Sequence, residues 1–324
     1  MASILCFGEA LIDFHQDGKD AHGHARAYVP FAGGAPANVA VAVAKLGGAA
    51  RFAGMLSTDP FGDFLLDSLA RAGVDTSAVA RTAEANTALA FVGHDAQGER
   101  SFTFYRPPAA DLLFRAAHFR DDSFADLAVF HVCSNSMTEA AVAQATRDGM
   151  QRARAAGALV SFDVNLRPAL WPRELDPRPE LWAALALADL VKVSAEEFAF
   201  LAVDGEEAML ERLWQGPARL LLVTDGAARM RWFSRDAEGE LPAYAIDTVD
   251  STAAGDAFVG GLLCRLADWS IDAAGLEALI TQLPRLHALL RYAAACGALT
   301  AARQGSFTAL PSADDVLAFM ETHA

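Results

Sequence analysis

The sequence predicts an α/β protein: a doubly wound, mostly parallel sheet with helices on both faces. Short continuous apolar runs, the mark of strands covered on both sides, alternate with longer stretches of helical spacing. The 324 residues are 53% apolar and 21% charged, enough to bury a sizeable core without disulfides or a metal. Length alone fits two domains, or one large α/β domain with an insertion.

The elements follow in order. "ILCFG" (4–8) reads as the first strand, and residues 14–31, polar and then β-like, break the rhythm after it. "ANVAVAVAKLG" (37–47) has helical spacing, "RFAGML" (51–56) is a strand, and "FGDFLLDSLARAG" (61–73) is a helix. Residues 86–105 hold two alternating strands joined by the turn "DAQGE", which predicts a hairpin. Both interrupting segments should lie off the main layer, where a lid is their expected role. The alternation resumes with strands in "LAVFHV" (127–132), "ALVSFDV" (158–164), "LVKV" (190–193) and "RLLLVT" (219–224), and a helix near 138–156. "LRPALWPRELDPRP" (166–179) is a Pro-rich loop, and the chain is mostly helical after 254.

Composition excludes some functions. With 26 basic and 41 acidic residues the formal charge is −15, which argues against a general affinity for nucleic acid or anionic membranes. Cys6, Cys133, Cys264 and Cys296 are far apart in apolar stretches and read as buried reduced thiols. The N-terminus lacks the basic start of a signal peptide, and no run of about 18 apolar residues marks a membrane span, so the cytoplasm is the expected location. P-loop, dinucleotide, nucleophile-elbow and zincin motifs are absent. His15, His22 and His24 read as loop residues, since no carboxylate or Cys stands at ligand spacing.

What remains is a series of polar residues just after strands, where open α/β sheets bind ligands. Asp13 has the chemistry to accept hydrogen bonds from two vicinal hydroxyls, or is a turn carboxylate. In "AGGAPAN" (32–38), Gly33 and Gly34 precede a helix start with Pro36 and Asn38; they permit close approach of a ligand, or simply make a tight turn. "SFDVNLRPALW" (161–171) carries Asp163, Asn165 and Arg167, the last an anion fork or half of a structural pair with the aspartate. "KVSAEEF" (192–198) places Lys192 at a strand end and Glu196 and Glu197 in a helix's first turn, which dipole complementation also explains. "LLLVTDGAARMRWF" (220–233) is a strand, a sharp turn and another strand. Finally, "DSTAAGDAF" (250–258) sets small residues at the start of a helix, an anion site by geometry and dipole, with Asp256 beside it. That acid either complements the dipole or takes a proton from a hydroxyl while nearby N–H groups stabilise a transferring phosphoryl group.

Taken together, these segments resemble the ribokinase-like (PfkB) sugar kinases. "GGAPANVAVAVAKLG" (33–47) is similar to the family's N-terminal signature and "DSTAAGDAFVGG" (250–261) to its C-terminal one. The likeness covers 1–324 as a single kinase domain, with lid strands inserted at about 14–32 and 86–113. It implies ATP and Mg²⁺, with K⁺ as a further ion, and a homodimer through the lid. Asp256 would be the general base, with the backbone of Ala253, Ala254 and Gly255 as the anion hole. Asp13, Gly33, Gly34 and Asn38 would hold sugar hydroxyls, with Asn165 or Arg167 near substrate or phosphates. Lys192, Ser194, Glu197, Thr224, Gly226 and Gly297 would serve the nucleotide, Glu197 organising Mg²⁺ through water. Asp250, Thr252, Thr300, Arg303, Gly305 and Ala309 would bind the monovalent cation, mostly through backbone oxygens.

Within the family, "FYRPPAADLLF" (104–114) and "FDVNLRPALW" look most like fructokinases, although 2-keto-3-deoxygluconate kinases share part of the latter. This implies phosphoryl transfer from ATP to a primary hydroxyl of D-fructose, with Arg106 reaching from the lid to the sugar or the phosphate. Kinases of ribose or nucleosides use the same chemistry, and a non-catalytic sugar-binding relative would have lost Asp256 or Gly255. Three departures stand out: Ala253 where Gly is common, which calls for a negative φ; Ser194 for the more usual Asn; and Arg229 in the nucleotide loop.

Overall fold

The computed structural model describes residues 3–94 and 100–323, with the side chains of 94, 100–102 and 121 left out; the predicted "DAQGE" turn thus lies outside the described residues. β1 (Ser3–Phe7), β4 (Ala50–Ser57), β5 (Asp75–Thr82), β8 (Leu127–Cys133), β9 (Leu159–Asp163), β10 (Leu190–Ser194), β11 (Leu220–Thr224), β12 (Met230–Phe233) and β13 (Glu238–Leu241) form one sheet. Their order is β13-β12-β11-β10-β9-β8-β1-β4-β5, parallel except for β12 and β13 at one edge. The strand runs are short and apolar because successive side chains enter two different cores. Ile4 and Cys6 pack with α1 (Ala35–Lys45), α7 (Ala254–Asp268) and α9 (Leu283–Ala301). Leu5 and Phe7 pack with α3 (Ala140–Ala155) and α4 (Arg178–Leu185) on the other face.

A second sheet, in the order β3-β2-β6-β7, joins the two interrupting segments: β2 (Leu11–Lys19), β3 (Ala25–Gly33), β6 (Leu89–His94) and β7 (Arg100–Tyr105). β6 lies parallel to β2, with Asp13 opposite Ala90, so segments remote in sequence become one layer. Alternation along these strands puts Leu11, Asp13 and Phe104 on one face and Phe14, Phe91 and Tyr105 on the other. His15, expected in a loop, is instead a β2 residue with its ring 4.8 Å from that of Phe31. All four cysteines are buried thiols. Among the described residues, no helix is long and apolar enough to cross a membrane.

Two strands carry no clear sequence signal. β5 and β13 are the outermost strands, and half-exposed edge positions such as those of "DTSAVART" need no apolar run.

Candidate active site

The strand order reverses at β1: the chain runs outward through β4 and β5, then returns to β8 on the other side. Such a switch point leaves a crevice at the carboxyl ends of the strands, because the flanking connections depart in opposite directions. A cleft of about 860 Å³ lies there, lined by residues that follow β1, β8, β9 and β10, by the start of α7 and by the second sheet.

Asp256 stands in the first turn of α7, is 8% exposed and lines the cleft. Burial pushes its carboxyl above the ordinary aspartate range, while the Asn38 hydrogen bond and the charges of Arg167 and Lys192 oppose the rise. Asn38 Nδ2 donates to Asp256 Oδ2 at 2.7 Å. Asn38 is thus tied to Asp256 as well as facing the cleft.

Lys192 Nζ lies 3.2 Å from Asp163 Oδ2, and both side chains are almost fully buried. Burial works against the ammonium, but the charges of Asp163 and Glu197 hold its pKa above the usual lysine value. The expected alternative of an Asp163–Arg167 pair is not formed: Arg167 is exposed and Asp163 belongs to Lys192. A Cβ on Gly255 would stand 3.2 Å from Lys192 Nζ, so the glycine lets the lysine approach the start of α7.

Ser194 and Glu197 cap α5 (Ala195–Leu201) reciprocally: Ser194 Oγ accepts from Glu197 N at 3.1 Å, and Glu197 Oε2 from Ser194 N at 2.8 Å. Glu197 Oε1 also accepts from Leu166 N at 2.6 Å, which fixes the Pro-rich loop at the cleft wall. Glu197 is thus a helix cap, as dipole complementation predicts, and it also lines the cleft.

Asp13 is 7% exposed, and its Oδ2 accepts from Ser306 Oγ at 3.2 Å. Burial, reinforced by Asp256, Asp250 and Glu9, raises its pKa to about 7. The two glycines serve this packing. A Cβ on Gly33 would fall 2.1 Å from Asp13 Oδ2, and one on Gly34, whose φ is +103°, would fall 2.6 Å from the Glu9 carbonyl oxygen. Their smallness admits the protein's own carboxylate and backbone; of the two, only Gly34 lines the cleft.

One expectation needs correction, and several other predicted residues make contacts outside the cleft lining. Ala253 adopts φ +59°, not the negative value an alanine prefers, and caps α7 in the left-handed region. The Ala254 N–H donates to Ser251 O at 3.3 Å, so its contribution to an anion hole competes with a turn. Arg106 does not line the cleft: its Nε and Nη2 hold Asp111 Oδ2 at 2.8 and 2.6 Å, and Nη2 also reaches Asn135 O at 2.8 Å. Thr224 Oγ1 turns back to Val193 O at 3.4 Å, and Gly226 is an exposed turn residue with φ +51°. Gly297 packs α9 against α7, where a Cβ would be 3.0 Å from Ala254 O. These three lie outside the cleft lining. Arg229 is paired with Glu240 across the β12–β13 edge and leaves the turn at Asp225–Ala228 closed. Asn165 does line the cleft, with φ +38°.

The segments that the resemblance assigns to a monovalent cation lie together. Asp250 is 3% exposed and accepts from Thr252 N at 2.7 Å and from Gly305 N, 55 residues away, at 3.1 Å. Arg303 N donates to Thr300 O, Ala309 N to Ser306 O, and Asp250 N to Ala301 O, so two loops form one backbone-rich nook. Arg303 sends its side chain to Asp315 at 3.3 Å and has only its main chain to offer there.

Sequence reasoning missed Glu9, Asn135, Phe104, Ser306 and Trp171. Glu9 entered only as an interruption of an apolar run, yet it is 1% exposed and lines the cleft. The others are ordinary strand-end or loop residues, and only the fold collects them.

A buried acid beside a lysine at the amino end of a helix is an arrangement suited to moving an anionic group onto a hydroxyl, the chemistry of a phosphotransferase. The chain belongs to the pfkB family of carbohydrate kinases, whose model matches residues 1–313. It is 42% identical over 322 residues to fructokinase-1 of Oryza sativa subsp. japonica, covering 98% of each chain. The crystal structure of fructokinase with bound ATP from Xylella fastidiosa superposes with a TM-score of 0.95 at 54% identity, over 99% of this chain and 98% of that one. Fructokinase from Vibrio cholerae O395, in its fructose-, ADP- and calcium-bound form, gives a TM-score of 0.85 at 31% identity, over 98% and 99%.

Proposed function

We infer that this chain is an ATP-dependent fructokinase, transferring the γ-phosphoryl group to a primary hydroxyl of D-fructose. The observation that carries the mechanism is the buried Asp256 carboxylate at the start of α7, held by Asn38 and facing the cleft. Burial raises its pKa, which makes the carboxylate a better proton acceptor toward an incoming hydroxyl than an ordinary aspartate. Asp13 accepts hydrogen bonds from sugar hydroxyls. The Gly255 and Asp256 amides, the α7 dipole and Lys192 carry the charge of the transferring group; positioning and electrostatics supply most of the rate, as phosphoryl transfer requires. Closure of the second sheet over the sugar excludes water.

Mg²⁺, when bound, would supply charge neutralisation on the nucleotide phosphates. Asp163 Oδ1, buried without a partner, and Glu197 fit a hydrated divalent ion, and no cluster of three or more His, Cys, Asp or Glu that could hold a metal directly exists among the described residues. The Asp250–Gly305 nook fits a monovalent cation such as K⁺, because its offering is one buried carboxylate and main-chain oxygens. A homodimer through the second sheet is supported by its outer aromatic face. Phe91 stacks on Phe14 at 5.0 Å and meets Tyr28 and Tyr105 edge-on, and the two tyrosines are 43% and 64% exposed. Buried thiols are in keeping with a cytoplasmic setting.

A coupled assay of ATP turnover on fructose, ribose, 2-keto-3-deoxygluconate, glucose and adenosine tests the reading. Fructose should give the highest kcat/KM, and any other preferred substrate overturns it.

A further inference from the structure

Glu9, Arg106 and Asp111 form a buried charge cluster, with Glu9 in the cleft wall near Asp13 and the other two behind it. The Arg106 and Asp111 side chains are 1% and 4% exposed, and two guanidinium nitrogens converge on one carboxylate oxygen. Asn135 links this pair to Glu9: its carbonyl accepts from Arg106 Nη2 at 2.8 Å, and its Nδ2 donates to Glu9 Oε1 at 3.0 Å. Glu9 Oε1 also accepts from Ala35 N at 3.3 Å, at the start of α1, and the Glu9 side chain forms part of the cleft wall. One buried arginine thus faces two acids. Asp13 and Asp256 line the same cleft, and Lys192 is committed to Asp163. The remaining lining arginines, Arg167 and Arg173, are exposed on the Pro-rich loop.

We propose that Asp111 and Glu9 are specificity-determining residues that cancel Arg106 and make the sugar end a selector for uncharged sugars against sugar acids. A carboxylate-bearing substrate entering beside Glu9 and Asp13 finds acidic groups and no uncompensated buried cation in a partly desolvated site, where its charge is costly to bury. An uncharged polyol offers hydroxyl donors to the same acids. Arg106 lies behind the Glu9 and Asn135 wall, and its positive charge would act on a bound carboxylate from there once Asp111 or Glu9 were neutralised. The proposal rests on the neutral-sugar reading above.

The test measures kcat/KM for D-fructose and for 2-keto-3-deoxygluconate in the wild type, Asp111→Asn, Glu9→Gln and Asp111→Glu. The wild type should favour fructose, and each charge-removing variant should move the ratio at least about tenfold toward the sugar acid, mostly through KM. Asp111→Glu, which keeps the charge, should hold the wild-type preference. Parallel losses on both substrates in both charge-removing variants would show a structural role only and overturn the proposal. If Asp111→Asn fails to fold, Glu9→Gln decides alone, because Glu9 is not the direct ion-pair partner of Arg106. A wild type that prefers the sugar acid would instead overturn the fructokinase reading, a distinct outcome.

Discussion

Asn38 and Asp256, 218 residues apart in sequence, are joined by a 2.7 Å hydrogen bond from Asn38 Nδ2 to Asp256 Oδ2 that ties the first turn of α1 to the first turn of α7. The two halves of the cleft are thereby registered at the Asp256 carboxylate, and the same bond opposes the rise in pKa that burial imposes on it.

Removing the base comes first. Asp256→Asn keeps the size of the side chain and should lower kcat by roughly 10²–10⁴, with nucleotide affinity mostly retained. Steady-state kinetics beside ATP titration checks this, and near-normal turnover would remove Asp256 from the mechanism.

Asn38→Ala probes the tuning. Its hydrogen bond lowers an Asp256 pKa that burial raises, so its loss should raise that pKa further. The acid limb of the kcat profile should move to higher pH in the variant, and an unmoved limb would mean that Asn38 does not set the base.

Asp13 titrates near pH 7 because of burial. As pH falls through about 7 the carboxylate is protonated, so KM for fructose should rise while kcat changes less. The stability effect has the opposite sign. The folded state binds this proton more tightly than the unfolded chain, so the associated stability is full below about pH 4 and is lost as pH rises through about 7. Asp13→Asn should flatten the decline in Tm between pH 5 and pH 8, and an equal decline in both proteins would refute the assignment.

Ala253 at φ +59° is strained by about 1–2 kcal/mol relative to glycine, offset by about 0.5–1 kcal/mol of extra chain entropy that a glycine loses on folding. Ala253→Gly should therefore be stabilising by roughly 0.5 kcal/mol, with the α7 cap unchanged. Denaturant titration measures it, and a clear loss of stability would contradict the backbone geometry.

Replacing K⁺ with Na⁺ should lower kcat if the Asp250–Gly305 nook binds the cation, and Asp250→Ala should abolish the difference between the two ions. Equal rates in K⁺ and Na⁺ for the wild type would remove that site.

Much of this was legible in the sequence for a simple reason. Strands such as "LLLVT" are covered on both faces, and helix starts such as "GGAPAN" and "DSTAAGDAF" need glycine, proline and small residues locally. Those requirements are written in neighbouring residues, so the doubly wound class and the helix starts that carry Asn38 and Asp256 were legible, whereas roles for Asp13, Asn38 and Asp256 came only with the family resemblance. Edge strands β5 and β13 left no such mark, since half-exposed positions tolerate mixed residues.

Only tertiary structure decided which polar groups share a dielectric and a wall. Nothing local to "FGEAL" reveals that Glu9 faces Asn135 across 126 residues, and nothing in "RPPAAD" shows that Arg106 spends its donors on Asp111. The sign of φ at Ala253 and the reason for Gly33, room for the Asp13 carboxylate, belong to the same class. Residue type fixes what a side chain is able to do. Burial and the charges brought beside it by strand order fix its protonation, its partner and whether it faces the cleft at all.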